Sequence, residues 1–321
     1  MPSEFDLIRR HFARPVRHSD LGGGDDGALI RPRAGHQVVA STDMLVAGRH
    51  FFPDAAPDAL GWKTLAVNLS DIAAMGARPR WALLSLALPT ADEDWLARFA
   101  DGLYACADAF EVDLIGGDTT RGPLTLNVTA LGELPAGSAI LRNGARIDDE
   151  LWISGQPGAA ALALWHRRDG LDLSDAHIAR CLDALDRPQP RVALGCALTG
   201  LASAMLDVSD GLLGDLGHLL NASGTGATLD EAALPLTALV AACGDSERAR
   251  DACLRGGDDY ELLFTAHPDD RQAVLDAGRR SAVALHRIGR IVPAGQGLTL
   301  RQRDGQRVAL SARGFDHFAT N

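Results

Sequence analysis

The strongest constraint in this sequence is a short motif, Gly-Gly-Asp, that occurs three times, each time beside an apolar segment. The copies are Gly23-Gly24-Asp25, Gly116-Gly117-Asp118 and Gly256-Gly257-Asp258. The apolar segments at 28–30, 112–115 and 260–264 are typical of strands. Glycine lets the main chain approach a bulky ligand, and an aspartate among small residues keeps its carboxylate unobstructed. The motifs therefore predict strands that adjoin ligand-facing turns.

Further aspartates occupy strand ends or small-residue turns in both halves of the chain. The full set is Asp25, Asp26, Asp43, Asp71, Asp118, Asp207, Asp210, Asp258 and Asp259. Each one alone is explained by a helix N-cap or a turn. Gathered in one place, however, they would repel one another unless cations lay between them, and Mg²⁺ prefers such hard oxygen ligands. If the segments converge we expect divalent cations, and if they are scattered the hypothesis fails.

The segment Asp207-Val208-Ser209-Asp210-Gly211 carries two carboxylates and a hydroxyl within five residues. It leads into the leucine-rich stretch 212–216, which predicts a packed helix whose N-terminus favours an anion. A ligand site and a simple helix cap both remain open for this segment.

Charge and lysine content exclude several classes of protein. Acidic residues outnumber basic ones, 42 to 31, which argues against sequence-independent nucleic-acid binding. Lys63 is the single lysine, and its sequence context matches neither a P-loop nor a protein kinase. We expect Lys63 to occupy a solvated position on a helix.

The cysteines and the apolar runs bear on the compartment. Five cysteines are present without a Cys-x-x-Cys pair, so no disulfide framework or zinc knuckle is suggested. The N-terminus lacks a signal-peptide pattern, and no apolar run approaches the roughly 18 residues of a membrane span. We expect a cytoplasmic protein with no membrane partner.

At about 150 residues per domain, 321 residues predict two domains. Strand and helix patterns alternate in an irregular order, which favours two α+β domains over a doubly wound sheet. The turn-rich stretch 135–138 lies between them, so we place the domains at 1–138 and 139–321.

At this point the motifs resemble those of the thiamine-monophosphate kinases, in the superfamily of aminoimidazole ribonucleotide synthetase and selenophosphate synthetase. The similar segments are 4–8, 24–28, 41–51, 68–76, 115–122, 207–212, 256–262 and 313–318. They run in order along the whole chain, which makes the resemblance specific.

The resemblance implies a two-domain PurM-like α+β architecture that forms a homodimer by pairing the sheets of the N-terminal domains. It implies ATP-dependent phosphorylation of thiamine monophosphate, with several Mg²⁺ ions and an ATP site between the domains. The N-terminal domain would bind metal and ATP, and the C-terminal domain would complete the nucleotide and substrate cleft. Dependence on K⁺ is left open.

The resemblance also implies roles for individual residues. Those matching magnesium-binding positions are Asp26, Ser41, Thr42, Asp43, Asp71, Asp118, Asp207 and Asp210. Of these, Asp43, Asp118, Asp207 and Asp210 are the expected catalytic group. Nucleotide contacts are implied for Tyr104, Gly117, Arg142 and Ser209, and substrate contacts for His50, Asp258 and Phe315. His50 as a loop cap and Arg142 as an exposed turn residue are the alternatives from the residues alone.

Two positions depart from the family pattern. Asp258 stands where glutamate is common, one methylene shorter, and Gly27 stands where alanine or cysteine is usual.

The proposed chemistry needs no general base, because a phosphate monoester with a second pKa of about 6 is mostly a dianion at neutral pH. Repulsion between that dianion and ATP is the difficulty that bound cations would remove.

Three other functions compete with this one. Another ATP-using enzyme of the superfamily is the nearest, although a selenophosphate synthetase would need a reactive cysteine near the N-terminus and the first here is Cys106. A metal-dependent phosphatase would use the aspartates to activate water. A cation-stabilised binding module would show no turnover at all.

Overall fold

The structure is a computed structural model that describes residues 4–312, with side-chain surroundings from Asp6 onward. Within this range the chain folds as two compact units. Unit 1 comprises 4–73 and 77–137, and unit 2 comprises 74–76 and 138–312. None of the helices in these residues combines the length and apolar character needed to cross a bilayer.

Unit 1 is built on a four-stranded mixed sheet with two long helices. Its elements are α1 (Glu4–His11), β1 (Ser19–Leu21), β2 (Leu29–Ile30), β3 (His36–Val46), α2 (Pro57–Ala74), β4 (Arg78–Leu88), α3 (Glu93–Ala109), β5 (Asp113–Arg121) and β6 (Thr125–Pro135). The sheet order is β3-β6-β4-β5, in which only β4 and β5 pair in parallel. Strands β1 and β2 form a separate antiparallel ribbon.

Two glycines bring α2 and α3 into close contact. A Cβ atom on Gly61 would lie 2.0 Å from the carbonyl oxygen of Phe99, and one on Gly102 would lie 1.8 Å from that of Asp58. The main chains of the two helices therefore touch at both points. Buried apolar residues, Leu65, Leu69, Ile72 and Leu103 among them, complete this core.

Unit 2 is built on a seven-stranded sheet flanked by seven helices. Its elements are β7 (Glu150–Ser154), α4 (Ala159–Asp169), α5 (Asp175–Asp186), α6 (Val192–Leu198), β8 (Ala202–Val208), α7 (Leu212–Ser223), β9 (Thr225–Asp230), α8 (Thr237–Cys243), α9 (Ser246–Arg255), β10 (Glu261–Ala266), α10 (Arg271–Arg280), β11 (Leu285–Pro293), β12 (Leu298–Arg301) and β13 (Arg307–Ala309). The sheet order is β13-β12-β9-β11-β7-β10-β8, and only β12 and β9 pair in parallel.

The core of unit 2 gathers around two stacked aromatic rings. Trp152 on β7 lies directly opposite Phe264 on β10, with ring centroids 6.3 Å apart. Leu194, Leu198 and Met205 pack in the same cluster. Both units are α+β, so the expected fold class is confirmed.

Two local expectations are wrong. The strand before the second Gly-Gly-Asp motif does not end at Ile115, because β5 continues through the motif to Arg121. Lys63 is 3% exposed rather than solvated, because α2 is enclosed on nearly all sides.

Candidate active site

The first cluster in unit 1 lies where β3 meets α2. Ser41 and Asp43 alternate along β3 and point to the same face, towards α2. The Ser41 hydroxyl donates to Asp71 Oδ2 at 2.5 Å, and the main-chain N–H of Asp43 donates to Asn68 Oδ1 at 2.8 Å. Asn68 and Asp71 are three residues apart, so they lie on one face of α2. The structure thus brings Ser41, Asp43 and Asp71 together.

Thr42 lies on the opposite face of β3. Its hydroxyl donates to the carbonyl oxygen of Val128 at 3.0 Å and accepts from Asn127 Nδ2 and Thr129 Oγ1. Because that hydroxyl is committed to β6, any contribution of Thr42 to a cation has to come from its main-chain carbonyl oxygen.

Asp118 also lies away from Asp43. In the sheet register Asp118 is opposite Ser85, Ser85 is opposite Asn127, and Asn127 is opposite Met44. Successive residues of a strand point to opposite faces, so Asp118 shares the face of Met44 and not that of Asp43. Strands β3 and β5 are three steps apart, about 14 Å at a typical strand spacing.

The first and second Gly-Gly-Asp motifs meet beside β5. A Cβ on Gly23 would lie 3.8 Å from both the Ile115 carbonyl oxygen and the Gly116 Cα. The loop then continues to Asp26, which is exposed and whose N–H donates to Asp25 Oδ1 at 2.8 Å. Within unit 1 the predicted carboxylates are therefore not gathered in one place, because Asp43 and Asp71 lie where β3 meets α2, whereas Asp118 lies on β5 on the other face of the sheet. The convergence that the sequence hypothesis requires is not formed within this unit.

Gly117 has a structural reason to be glycine, whatever it binds. Its φ is +151°, and a Cβ there would lie 1.7 Å from the carbonyl oxygen of Leu84 on β4. Only a residue without a side chain lets β5 pair with β4 at this point.

His50 closes the turn after β3. The Val46 N–H donates to His50 Nδ1 at 3.0 Å, and the His50 N–H donates back to the Val46 carbonyl oxygen at 3.0 Å. Because Nδ1 accepts a hydrogen bond, a neutral ring carries its proton on Nε2. The loop-cap interpretation of His50 is thus realised, and a substrate contact would fall to Nε2.

Tyr104 is buried on α3 and its hydroxyl already has a protein partner. That hydroxyl donates to the Phe12 carbonyl oxygen at 2.7 Å, and the Arg14 guanidinium lies 3.5 Å above the ring centroid. Burial raises the pKa of Tyr104 to about 12; Arg14 opposes the shift and Asp108 adds to it. Its implied role as a nucleotide contact stays a prediction.

In unit 2, the Asp207–Asp210 turn joins β8 to α7. Asp207 is 6% exposed, whereas Ser209 and Asp210 are half-buried. The turn ends at Gly211, whose φ is +102° and where a Cβ would lie 2.8 Å from the carbonyl oxygen of Arg255. The sequence pattern therefore located both the turn and the helix after it.

Asp215, on the first turn of α7, is a buried acid that bonds to this turn and that the sequence pattern does not single out. Its Oδ2 atom accepts the main-chain N–H groups of Ser209 and Asp210, each at 3.0 Å. Burial raises the pKa of Asp215 to about 7; the two N–H groups and Arg142 lower it, and the charge of Asp210 raises it. An acid within the apolar run Leu212–Leu216 was the available signal.

The third Gly-Gly-Asp motif packs against the Asp207–Asp210 turn. The Asp258 N–H donates to the Ser209 carbonyl oxygen at 2.8 Å, and the Tyr260 hydroxyl donates to Asp258 Oδ1 at 3.0 Å. Asp258 has φ +64°, a left-handed conformation that aspartate tolerates better than most residues. This conformation is a physical reason for aspartate here in place of glutamate.

Two further acids follow the motif and tie it to β7 and α4. Asp259 Oδ1 accepts the Gly158 N–H at 2.8 Å, and burial, with Glu261 and Asp258 nearby, raises the pKa of Asp259 well above its usual value. Glu261 accepts a two-pronged bond from Arg191 at 2.6 and 2.7 Å and a third from Ser154 Oγ. These buried contacts fix the start of β10.

The charge of Arg142 contributes to lowering the pKa of Asp215 against the larger effect of burial. Arg142 is exposed, and its carbonyl oxygen accepts the Ser223 hydroxyl at 2.9 Å. Phe315 lies outside the described residues.

The donor set suits Mg²⁺ only in part. Within residues 4–312, no three His, Cys, Asp or Glu side chains gather closely enough to hold a metal ion. Asp43 and Asp71 with the Ser41 hydroxyl instead offer a small group of hard oxygens. Mg²⁺ is commonly bound in this way, by one or two carboxylates while water and substrate phosphates complete its shell. The donors therefore fit cations that arrive on a nucleotide.

Comparison with known proteins gives matches along both units. The family model described as AIR synthase related protein, N-terminal domain, matches 24–134, and that of the C-terminal domain matches 146–300. The thiamine-monophosphate kinase of Salmonella typhimurium is 45% identical over 326 residues, which cover 99% of this chain and 98% of that protein.

Two solved structures are also similar. The crystal structure of thiamine-monophosphate kinase from Stenotrophomonas maltophilia has a TM-score of 0.84 and 46% identity, and the match covers 94% of this chain and 95% of that one. AaThiL complexed with AMPPCP and TMP has a TM-score of 0.75 and 27% identity, and the match covers 98% and 96%.

Proposed function

This chain belongs to the thiamine-monophosphate kinase family, and we infer that it transfers the γ-phosphoryl group of ATP to thiamine monophosphate. The products are thiamine diphosphate and ADP. The observation that carries the inference is identity of 45% to the Salmonella typhimurium enzyme along 99% of the chain. The solved complex of a relative with AMPPCP and TMP supports both substrates.

The reaction needs little acid or base chemistry from the protein. An oxygen of the acceptor phosphate forms a bond to the γ-phosphorus while the bond from that phosphorus to the β,γ-bridging oxygen breaks, and ADP leaves with the electron pair. The acceptor is already mostly a dianion at neutral pH, since its second pKa is about 6. Consistent with this, two groups that could act as a base are already engaged in the fold: Lys63 is buried, and His50 Nδ1 accepts a hydrogen bond.

We propose that the carboxylates serve Mg²⁺ that binds with the substrates. Three groups of residues would bind such ions: Asp43 and Asp71 with Ser41, Asp26 and Asp118 beside β5, and Asp207 and Asp210 in unit 2. When bound, Mg²⁺ would neutralise the charge that keeps the two anionic substrates apart. The chain's own task is to hold these carboxylates in place, and on β3 the bond that Asn68 accepts from the Asp43 N–H does so.

We also propose a cytoplasmic homodimer that forms through the sheet of unit 1. Strand β3 is an eleven-residue edge strand, and Val38 and Met44 on its outer face are 42% and 56% exposed. Apolar side chains on a long edge strand favour pairing with another copy. Light scattering coupled to gel filtration would give the mass: a mass near twice 33.9 kDa supports the dimer, and a monomer contradicts it.

The function is tested by incubating the protein with ATP and Mg²⁺, with and without thiamine monophosphate. ADP and thiamine diphosphate in equal amounts, formed only when the acceptor is present, are the expected products. Free phosphate released without the acceptor would indicate a phosphatase instead. Asp207→Asn is the matched variant, and turnover equal to wild type would remove Asp207 from the proposed cation-binding group.

A further inference from the structure

Asp215 is a buried acid with no role in the chemistry described so far. It is 6% exposed on the first turn of α7, yet its Oδ2 atom accepts two hydrogen bonds from the preceding turn, from the N–H groups of Ser209 and Asp210. One oxygen atom therefore holds two consecutive peptide groups. These are the peptide groups of the residues proposed to meet nucleotide and cation.

The opposite side of the same turn is also fixed. The carbonyl oxygens of Val208 and Ser209 accept the N–H groups of Tyr260 and Asp258, each at 2.8 Å. A Cβ on Gly257 would lie 2.6 Å from the Ser209 carbonyl oxygen, so the two main chains are in contact. Hydrogen bonds from both sides leave the backbone at 208–210 little freedom to rotate.

These bonds change what the turn can bind. The N-terminus of a helix is usually ready to hold a phosphate through its free N–H groups. The N–H groups that α7 itself offers at its N-terminus are those of 211–214, whereas Asp215 Oδ2 occupies the N–H groups of Ser209 and Asp210 in the turn before the helix, so those two groups do not donate to a phosphate. The same turn carries the Ser209 hydroxyl and the carboxylates of Asp207 and Asp210, which are oxygen donors of the kind that suits a cation.

We propose that Asp215 is the positioning residue of the Asp207–Asp210 turn, which it fixes so that the turn presents oxygen donors to a cation-bound nucleotide and not N–H donors to a free phosphate. This proposal rests on the proposed function, because it concerns the same reaction. Asp215 itself contacts neither substrate and acts through the residues that it holds.

Two variants and one control test the proposal. Asp215→Leu removes both acceptor bonds at similar size, whereas Asp215→Asn keeps one oxygen able to accept them. Asp245→Asn is the matched control, because Asp245 Oδ1 likewise accepts two main-chain N–H groups, those of Glu247 and Arg248, at the start of another helix. Each protein is compared by hydrogen exchange of the peptide covering 208–212, by steady-state kinetics and by Mg²⁺ titration at fixed ATP.

In Asp215→Leu we expect faster exchange at Ser209 and Asp210, kcat lowered by about tenfold or more, a higher Mg²⁺ requirement, and KM for thiamine monophosphate within about twofold. In Asp215→Asn and Asp245→Asn we expect exchange at 208–212 close to that of wild type, with Asp215→Asn retaining more activity than Asp215→Leu. If Asp215→Leu does not fold, Asp215→Ser takes its place, and we expect Asp215→Ser to show faster exchange and a lower kcat than Asp215→Asn.

The proposal is overturned if exchange at Ser209 and Asp210 accelerates while kcat and the Mg²⁺ requirement stay at wild-type values. It is equally overturned if exchange is unchanged in Asp215→Leu, since the hydrogen bonds would then not hold the turn. Failure of the proposed function looks different: wild type would form no ADP with thiamine monophosphate, while the exchange comparison would still report on the anchoring of the turn.

Discussion

Asn68 holds Asp43 in place through its side-chain oxygen, which accepts the Asp43 main-chain N–H at 2.8 Å. The amide of Asn68 is oriented by a second bond, from its Nδ2 to the Thr64 carbonyl oxygen at 3.1 Å. A buried side chain on α2 thus sets the position of a carboxylate on β3.

Asn68→Leu is therefore expected to act on both stability and turnover. The Asp43 N–H would lose its partner in a partly buried place, at a cost of about 1–3 kcal/mol in the free energy of unfolding. The displaced carboxylate should lower kcat by about tenfold or more. Urea unfolding and ADP formation measure the two effects. Asn221→Ala, at an exposed position on α7, is the control, and equal effects in both variants would contradict the proposed role.

Substitutions at the neighbouring positions Thr42 and Asp43 on β3 should differ sharply in their effect on kcat. Asp43→Asn is expected to lower kcat by about a hundredfold with little change in melting temperature, since it removes a negative charge that would hold Mg²⁺ beside the reacting phosphates. Thr42→Val removes only a hydroxyl that bonds to β6 on the other face. We expect its kcat to stay within about threefold of wild type, with a loss of about 1 kcal/mol in stability. Equal loss of kcat in both variants would mean that the Thr42 hydroxyl takes part.

Tyr104→Phe separates a packing role from a nucleotide contact. The variant keeps the ring beneath Arg14 but loses the hydroxyl bond to Phe12, so we expect a loss of about 1 kcal/mol in the free energy of unfolding. KM for ATP should remain within about twofold of wild type. A large rise in KM for ATP with unchanged stability would instead assign the hydroxyl to the nucleotide.

Glu133 should make the stability of unit 1 depend on pH. Burial works to raise its pKa, but the Arg33 N–H and the Arg80 and Arg33 guanidinium groups outweigh burial, so the pKa lies below the ordinary 4.5. A lowered pKa stabilises the fold above the ordinary value, and the contribution is lost as pH falls through the folded-state value.

Glu133→Gln would leave Arg80, whose side chain is 10% exposed, without its anionic partner, which destabilises the fold by about 3 kcal/mol at neutral pH. The difference between wild type and variant should shrink once pH falls below 4.5. Urea unfolding at several pH values measures it, with Glu111→Gln at an exposed position as control. A difference that does not vary with pH would contradict the ionised state of Glu133.

Lys63 offers a direct probe of folding, because it is the single lysine and is 3% exposed. We expect an amine-acylating reagent to leave Lys63 unmodified in the native protein and to modify it fully in guanidinium chloride. Peptide mapping by mass spectrometry reads the result. Rapid labelling of Lys63 in the native state would contradict the enclosed position of α2.

The sequence pattern was sufficient for elements whose local signals agree with their packing. Helix α7 begins directly after the Asp207–Gly211 segment and contains the leucine-rich stretch 212–216, as expected. The sequence pattern predicts a strand over 112–115, whereas β5 runs on to Arg121, and its pairing with β4 requires glycine at 117. The pairing of β5 with β4 therefore outweighs the low strand propensity of glycine.

The candidate site was predictable as a set of residues but not as a geometry. Alternation along β3 separates Thr42 from Asp43, and that division is visible in the sequence. The sheet order that puts Asp118 on the other face, three strands away, is not visible there. Asp215 was missed because its two partners are main-chain groups, which carry no signature of their own. The expectation for Lys63 is wrong because a lysine side chain is usually solvated, although the apolar composition of 60–75 is typical of an enclosed helix.

The hydrogen bond between Asp258 and Ser209 has a practical consequence for chimeric enzymes. It joins two stretches that lie far apart in the sequence, and the left-handed backbone at Asp258 is shaped to reach it. A graft that imports the last glycine-rich segment from a relative, glutamate included, would alter the support beneath the other stretch. The two segments should therefore be exchanged as a pair, and grafts of either one alone should perform worse than both parents.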